Sequence, residues 1–483
     1  MPESKPSLQV KSASPTVWAL VVLFSGLVTR LLMFFLYEPV AYSDTPSYRR
    51  LAEAVLGGFA RYDGTRTPGY PVFLALVGDD ESVWLVQLFL GLATSMLLFY
   101  IGWKLTGKPW FGGLIGLSHS LNLGQLFFES SLLTECLTTF LLVLTLAGAL
   151  VWVTDPKRQR LWLAFLLGLT SALTLLVRPL FIYLPFYLLL FIWISHRASV
   201  RSASQADTPA TDLQPVPPIA TRLPWSSVIA FLVPVILLLG GWLTFIHAKY
   251  GDWALTTMTG YHLIQHTGGY FEYVPDEYAS VRDTYLKYRD AQIAQFGTQT
   301  NAIWGAIPEM SQASGYNFYD LSRLLARLSI QLIVEHPLLF AQNALSGWWM
   351  FWRTAVYWSA EALRYPSLAR GINLLVQVQR AALFLVNLLF ISGSLYAGMI
   401  EILSVLRPGR SFRRLVFTHP TQRLYFWFLA GTIWIASLLQ TLLDHGDNPR
   451  FLVPLQSLVV LWVALFFFYL LHDRSPRLPA QPE

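Results

Sequence analysis

The chain has 483 residues, 54% of them hydrophobic and only 13% charged, with a mean hydropathy of +0.47. So many apolar residues with so few charges exclude a soluble globular protein and indicate a multi-pass membrane protein. The net charge of +6 is no nucleic-acid signal, because the basic residues sit in short loops where they fix orientation, and the single cysteine, Cys136, allows neither an intrachain disulfide nor a cysteine-built zinc site.

The polar N-terminus carries Lys5 and Lys11 and leads into an apolar run from 17 to 37, which reads as a retained first helix because no small-residue cleavage site follows it. Arg30 lies deep in that run and needs an internal partner. The next stretch, AYSDTPSYRRLAEAVLGG at 41 to 58, places Tyr48, Leu51, Ala52, Val55 and Leu56 at helical spacing, with Arg49, Arg50 and Glu53 opposite them. This is the pattern of an amphipathic helix lying on a membrane surface. Thr45 before Pro46 offers an N-cap with proline at the first helical position, and Gly57-Gly58 ends the helix. Asp44 either caps this helix itself or, if Thr45 caps, presents a free carboxylate at the mouth of the first span.

In RTPGYPVFLAL, residues 66 to 76, Pro68-Gly69 and Pro71 enforce a turn and re-entry. Arg66 is thereby held at headgroup depth on the side of Asp44, where a guanidinium either binds phosphate or snorkels to lipid. Asp79, Asp80 and Glu81 open the next helix, as the helix dipole favours. Further apolar runs follow at about 82 to 103, 110 to 128, 131 to 153, 161 to 177 and 179 to 195. Glu129 and Glu135 flank the start of the fourth run, Glu135 a turn or more inside it, and Arg178 precedes Pro179 between the fifth and sixth. The Ser/Pro/Ala-rich stretch from Ala198 to Ala220 reads as a flexible linker.

After a run at 225 to 246 comes a segment from 247 to about 375 that is rich in Tyr and Trp, among them Tyr250, Trp253, Tyr261, Tyr270, Tyr273, Trp304 and Tyr319. Aromatic faces with polar tips suit sugars, lipid headgroups or a membrane interface. Gly260 and Gly268-Gly269 are candidate hinges for a cover that orders on donor binding. His262 and His266 have the spacing of a helical metal pair, although no HExxH pattern surrounds them, so a divalent metal stays open beside interfacial histidines. The apolar stretch 337 to 358 contains Arg353 and reads as interfacial, its Trp348, Trp349, Trp352 and Trp358 suiting that position. The last runs are 376 to 402, 424 to 443 and 451 to 471, and the tight loop DHGDNPR at 444 to 450 joins the final two.

These runs give about ten crossings. With the N-terminus cytoplasmic, the loops holding Lys104 and Lys108, then Lys157, Arg158 and Arg160, then Arg197, Arg201 and Arg222, and lastly Arg407, Arg410, Arg413, Arg414 and Arg423 are all cytoplasmic, as is the C-terminus. The expected fold is an all-α multi-pass membrane protein with amphipathic external helices and a mainly helical external segment. It divides into an N-terminal transmembrane module (1 to 247, with the external loop 38 to 81), the external or interfacial segment (248 to 375) and C-terminal transmembrane helices (376 to 483). No internal repeat is visible, which weighs against an inverted-repeat transporter.

Five features in order carry a resemblance: an aspartate before an amphipathic helix in the first external loop, RTPGYPVF at 66 to 73, ESSLLTE at 129 to 135, VRP at 177 to 179 and NPRFLVP at 448 to 454. Together they resemble the type C glycosyltransferases, and more narrowly the branch of protein O-mannosyltransferases, lipid A aminoarabinose transferases and their bacterial relatives. The resemblance covers most of the transmembrane scaffold and little of 250 to 375. It implies transfer of a sugar from a polyprenyl phosphate donor to a hydroxyl of a glycan, lipid or protein, at the external face of the plasma membrane, with Asp44 as the base.

That chemistry needs a carboxylate to take the acceptor's proton and cations to hold the departing phosphate. Asp44 is the first candidate base and Glu135 the second. Arg66, Arg178 and Arg450 are the candidate phosphate ligands, and Tyr48, Tyr70, Glu129 and Asp444 the candidate contacts to substrate or acceptor. No glycine-rich phosphate loop or Gly-x-Ser-x-Gly elbow is present, which favours a lipid-linked donor over a nucleotide. Two other classes compete: a transporter or flippase of lipid-linked saccharides, and a noncatalytic partner in envelope assembly for which Asp44 and the arginines are caps and anchors.

Overall fold

A computed structural model of the chain describes residues 14–155, 161–206, 225–406, 415–446 and 448–471. The regular elements among them are helices, because apolar runs in lipid must satisfy every backbone N–H and C=O within the segment. In chain order they are α1 (Pro15–Leu36), α2 (Thr45–Leu56), α3 (Gly69–Val77), α4 (Asp80–Thr106), α5 (Pro109–Ser120), α6 (Leu123–Glu129), α7 (Glu135–Thr154), α8 (Leu161–Val177), α9 (Leu184–Ala206) and α10 (Trp225–Val235). There follow α11 (Gly241–Tyr250), α12 (Thr259–Thr267), α13 (Ala279–Phe296), α14 (Ala302–Ser314), α15 (Phe318–Glu335), α16 (Pro337–Phe351), α17 (Ala369–Leu406), α18 (Pro420–Leu443), α19 (Asn448–Phe451) and α20 (Val453–Leu471).

Among the described residues, eight helical stretches are long and apolar enough to cross a membrane: α1, α4, α7, Pro179–Arg197, Trp225–Tyr250, Pro366–Leu406, α18 and α20. The chain is therefore a multi-pass helical membrane protein, and the outward faces of α1 (Phe24, Leu32, Phe35) and α17 (Leu375, Val378, Leu385) are exposed apolar surface for lipid to cover. Two of the ten expected runs differ. The run at 161 to 177 forms the shorter apolar helix α8. The run at 110 to 128 is broken into α5 and α6 at Leu121–Asn122, because the Asn122 side chain accepts a hydrogen bond from Gln125 N at 3.4 Å and starts a new helix.

Two further expectations are corrected. The supposed linker from Ala198 is helical as far as Ala206 in α9, and its remainder lies outside the described residues, as do Lys157, Arg158, Arg160, Arg222, Arg407, Arg410, Arg413, Arg414 and Asp447. In the stretch 337 to 358, α16 stops at Phe351 and Trp352 is wholly buried against Phe390 and Trp434, so that tryptophan is core rather than interface. α16 meets α15 at a bend of 107° set by His336-Pro337.

The main core joins α4, α5, α7, α8, α9, α17, α18 and α20. Residues 258 to 332 have a core of their own, in which α12 and α15 pack around Tyr261, Ile264, Leu321, Leu325 and Leu328. α12 lies so close to α15 that a Cβ on Gly260 would stand 1.8 Å from the Ser322 carbonyl oxygen. Inside the bundle Arg30 finds its partner in Glu129, donating from Nε (3.0 Å) and Nη2 (2.6 Å). Gly91 on α4 makes the room, since a Cβ there would lie 2.0 Å from that carboxylate.

Candidate functional site

After α1 the chain runs alongside residues 130–132, with Val40 N donating to Ser130 O (2.8 Å) and Leu132 N donating to Val40 O (3.1 Å). This pairing draws the approach to α2 against the start of α7. Thr45 is the first residue of α2, and its hydroxyl accepts from Tyr42 N (2.9 Å) and donates to Leu132 O (3.1 Å). Thr45 therefore does not cap the helix, contrary to one of the two sequence readings. Asp44 occupies the cap position with a helical backbone (φ −81°, ψ −24°) and makes no capping hydrogen bond. Its carboxylate is free for other partners.

Those partners are two arginines: Arg66 Nη2 donates to Asp44 Oδ1 and Arg450 Nη1 to Oδ2, each at 2.7 Å. Arg450 also donates through Nε to Glu135 Oε1, which accepts from Arg178 Nη1 at 3.0 Å. The side chains thus alternate in sign along one line, Arg66, Asp44, Arg450, Glu135 and Arg178. Three guanidinium groups against two carboxylates leave one net positive charge.

Local structure explains each position. Arg66 precedes α3, whose first residue Gly69 lies against the end of α8, where a Cβ would stand 2.6 Å from Leu176 C and O and Val177 N. The same contact brings Arg66 toward Arg178, the residue that follows α8. Glu135 is the first residue of α7, and so lies at the helix end rather than a turn inside it, where the dipole favours a carboxylate. Arg450 sits in the short helix α19. Aromatic rings carry the cations from below: Tyr48 lies 5.4 Å from the Arg66 guanidinium and Phe451 4.2 Å from that of Arg178. Tyr70 packs edge-on to Tyr48 at 5.0 Å, is wholly buried, and donates its hydroxyl to Gln87 Oε1 at 3.1 Å. It is part of the floor.

The network runs from surface to interior, with side-chain exposures of 24% at Arg66, 25% at Asp44, 12% at Arg450, 7% at Arg178 and 0% at Glu135. A ligand therefore meets Arg66 and Asp44 first. Burial works to raise the pKa of Asp44, but Arg66 and then Arg450 more than offset it and hold the carboxyl below the usual carboxylate range. Arg450 is held well above the ordinary arginine value, burial being outweighed by Glu135 and Asp44. Two buried polar atoms here have no partner, Arg66 Nε and Glu135 Oε2. The cluster keeps hydrogen-bonding capacity that the protein itself does not use.

The other sequence candidates fall elsewhere. Glu129 ends α6 and its carboxylate is turned to Arg30 in the buried pair described above, so it is not among the residues that meet at Asp44. Asp444 follows α18 and belongs to a second polar group, where His262 Nδ1 donates to its Oδ2 at 2.9 Å and Gly446 N donates to its Oδ1 at 2.8 Å. Burial raises the Asp444 pKa, yet His262 and the Gly446 amide bring it below the usual range. Nearby, burial pushes His266 down to about 4 and also lowers His445. The His262–Asp444 pair is invisible in sequence, because its members stand 182 residues apart. Among the described residues no group of three or more His, Cys, Asp or Glu is arranged to hold a metal ion. A cavity of about 540 Å³ between α17 and α18, lined by Ile400, Glu401, Phe417, Arg423 and Trp427, contains none of the clustered residues.

Comparison of the chain with known protein families, with curated proteins and with solved structures finds no match in any of the three.

Proposed function

We propose that the protein is an integral membrane glycosyltransferase that moves a sugar from a polyprenyl-phosphate donor to a hydroxyl acceptor, with its site on the external face of the plasma membrane and both termini cytoplasmic. The observation that carries this reading is the convergence of Asp44, Arg66, Arg450, Glu135 and Arg178 into one alternating network. Three arginines, two of them backed by aromatic rings, suit a phosphate that gains negative charge as it leaves. Opening the network toward Arg66 and Asp44 suits a donor whose lipid stays in the bilayer while its head reaches the protein.

In the reaction the acceptor oxygen attacks the anomeric carbon, its proton passes to Asp44, and the carbon–oxygen bond to phosphate breaks with its electron pair going to the phosphate oxygen. Asp44 is a poor base while both of its oxygens are held by arginines. A donor phosphate competes for the same guanidinium groups, and each hydrogen bond it takes from Arg66 or Arg450 releases one oxygen of Asp44. Glu135, wholly buried and tied to Arg178 and Arg450, anchors those arginines from behind.

Purified protein in lipid nanodiscs, given a panel of labelled polyprenyl phosphate sugars and acceptors, tests the reading. Transfer by the wild type that is lost in Arg66→Ala and Asp44→Asn supports it. Movement of the labelled donor across liposomes without transfer identifies a flippase instead.

A further inference from the structure

The loop between α18 and α20 carries Arg450 at one end and Asp444 at the other, and Asp444 meets His262 of α12. Asp444 can only accept hydrogen bonds as a carboxylate, so His262 Nδ1 is the donor in their contact. Among the described residues His262 Nε2 has no hydrogen-bond partner, and the His262 side chain is 31% exposed. Beside it stands Trp304, its ring 6.0 Å from the imidazole and at 74° to it, held by a hydrogen bond from Nε1 to Asn301 Oδ1 at 3.2 Å.

Trp304 and Phe318 flank the buried Tyr261 at 6.1 and 4.7 Å and remain 37% and 38% exposed, and of the two it is Trp304 whose ring adjoins His262. One turn along α12, His266 is fully buried with neither ring nitrogen partnered, and His445 Nδ1, across a 5.5 Å ring contact, is unpartnered too.

We propose that the partly exposed surface formed by His262 and Trp304 is the acceptor subsite and that the acceptor is a carbohydrate. A sugar ring offers the two things the surface asks for: a hydroxyl that hydrogen-bonds with His262 Nε2, and an apolar C–H face that lies on Trp304. The Asp444 carboxylate beneath the imidazole disfavours an anionic acceptor group at the same place. Asp444 under this subsite and Arg450 in the arginine network belong to one short loop, so acceptor and donor are held by opposite ends of the same segment. The identification as an acceptor rests on the glycosyltransferase reading, whereas sugar binding itself does not.

The test uses the full-length protein in nanodiscs and saturation-transfer difference NMR with glucose, galactose, mannose, N-acetylglucosamine, lactose and maltose. The expected result is saturation of ring protons of at least one sugar, reduced tenfold or more in both His262→Ala and Trp304→Ala and retained in Arg66→Ala. The Trp304 ring lies against Tyr261 and His262 with Nε1 on Asn301 and is 37% exposed, so Trp304→Ala tests the subsite even if loss of the His262 contact disturbs folding. No signal from any of the six sugars overturns the proposal, as does a signal unchanged in both variants. Quenching by brominated phospholipid that is lost in Trp304→Phe also overturns it, by making Trp304 a membrane anchor. Binding of polyprenyl phosphate, measured in the same nanodiscs, separates the two ideas. Lipid phosphate bound with no sugar signal removes the subsite alone, and a His262-dependent sugar signal with no lipid phosphate binding removes the transferase reading alone.

Discussion

Replacing Asp44 by asparagine keeps the size of the side chain and removes the negative charge between Arg66 and Arg450. The network then carries three guanidinium groups against Glu135 alone, so its net charge rises from one to two. At an effective dielectric of about 20, a carboxylate roughly 6 Å from a bound phosphate repels it by about 3 kcal/mol. The Asp44 side chain is 25% exposed, and solvent screening reduces that figure to about half. Asp44→Asn is therefore expected to bind polyprenyl phosphate about tenfold more tightly, since about 1.4 kcal/mol is a factor of ten. Transfer is expected to fall by about a hundredfold or more, because an amide does not take the acceptor's proton. Equilibrium binding in nanodiscs and a labelled-sugar transfer assay read the two effects separately. Weaker binding in the variant would refute the competition argument and make Asp44 the group that arranges the arginines. Unchanged transfer would refute its role as base and move that role to Glu135.

Removing either member of the buried Arg30–Glu129 pair leaves a charge in the bundle without its partner. Arg30→Met or Glu129→Gln alone is expected to cost about 3–5 kcal/mol, and the double variant Arg30→Met/Glu129→Leu to recover most of it, as read by thermal unfolding in detergent. Gly69→Ala forces a Cβ against the backbone of Leu176 and Val177, with an expected loss of about 1–3 kcal/mol and a transfer rate reduced by the separation of Arg66 from Arg178, while α17 and α18 are undisturbed. For His266 the folded pKa is about 4 against 6.5 unfolded, so the unfolded state takes up the proton first. Its stabilising effect is complete above pH 6.5 and is lost as the pH falls toward 4, by as much as about 3 kcal/mol. His266→Phe is expected to flatten this part of the pH–stability curve, measured by unfolding midpoints between pH 7.5 and 4.5, and an unchanged acid slope would contradict it.

The spans were readable because hydropathy reports how well a segment survives in lipid, and that property belongs to the segment itself. Its errors came where local backbone chemistry intervenes. The run at 110 to 128 is apolar enough to cross, but Asn122 starts a second helix within it, a single-residue effect that a window average does not register. Composition misread the stretch after Ala198, because its Ser, Ala and Arg residues are compatible with a helix that is already under way, and α9 continues to Ala206. In the stretch 337 to 358 the four tryptophans gave one interfacial signal, yet Trp352 turns inward to Phe390 and Trp434. Amphipathic residues serve a membrane interface and a core equally well by composition, and only packing separates them.

At the candidate site the residue types were legible and their pairings were not. Charged residues at the ends of apolar helices stand out because few charges are tolerated there, which is how Asp44, Arg66, Glu135, Arg178 and Arg450 were singled out. Their contacts join positions 22, 406, 315 and 43 residues apart, and nothing in a local window relates them. Glu129 and Glu135 show the limit most clearly. They stand six residues apart, and the sequence places both at one site, Glu135 as second base and Glu129 as a substrate contact, but the chain from Ser130 to Thr134 is held by Val40 and Thr45, and the two acids leave it in different directions. One ends α6 and closes on Arg30; the other begins α7 and closes on Arg178 and Arg450. The hydroxyl of Thr45 decides the matter for Asp44 as well. By spending itself on Tyr42 and Leu132 it fixes the turn without capping α2, and the aspartate beside it is left to face the arginines.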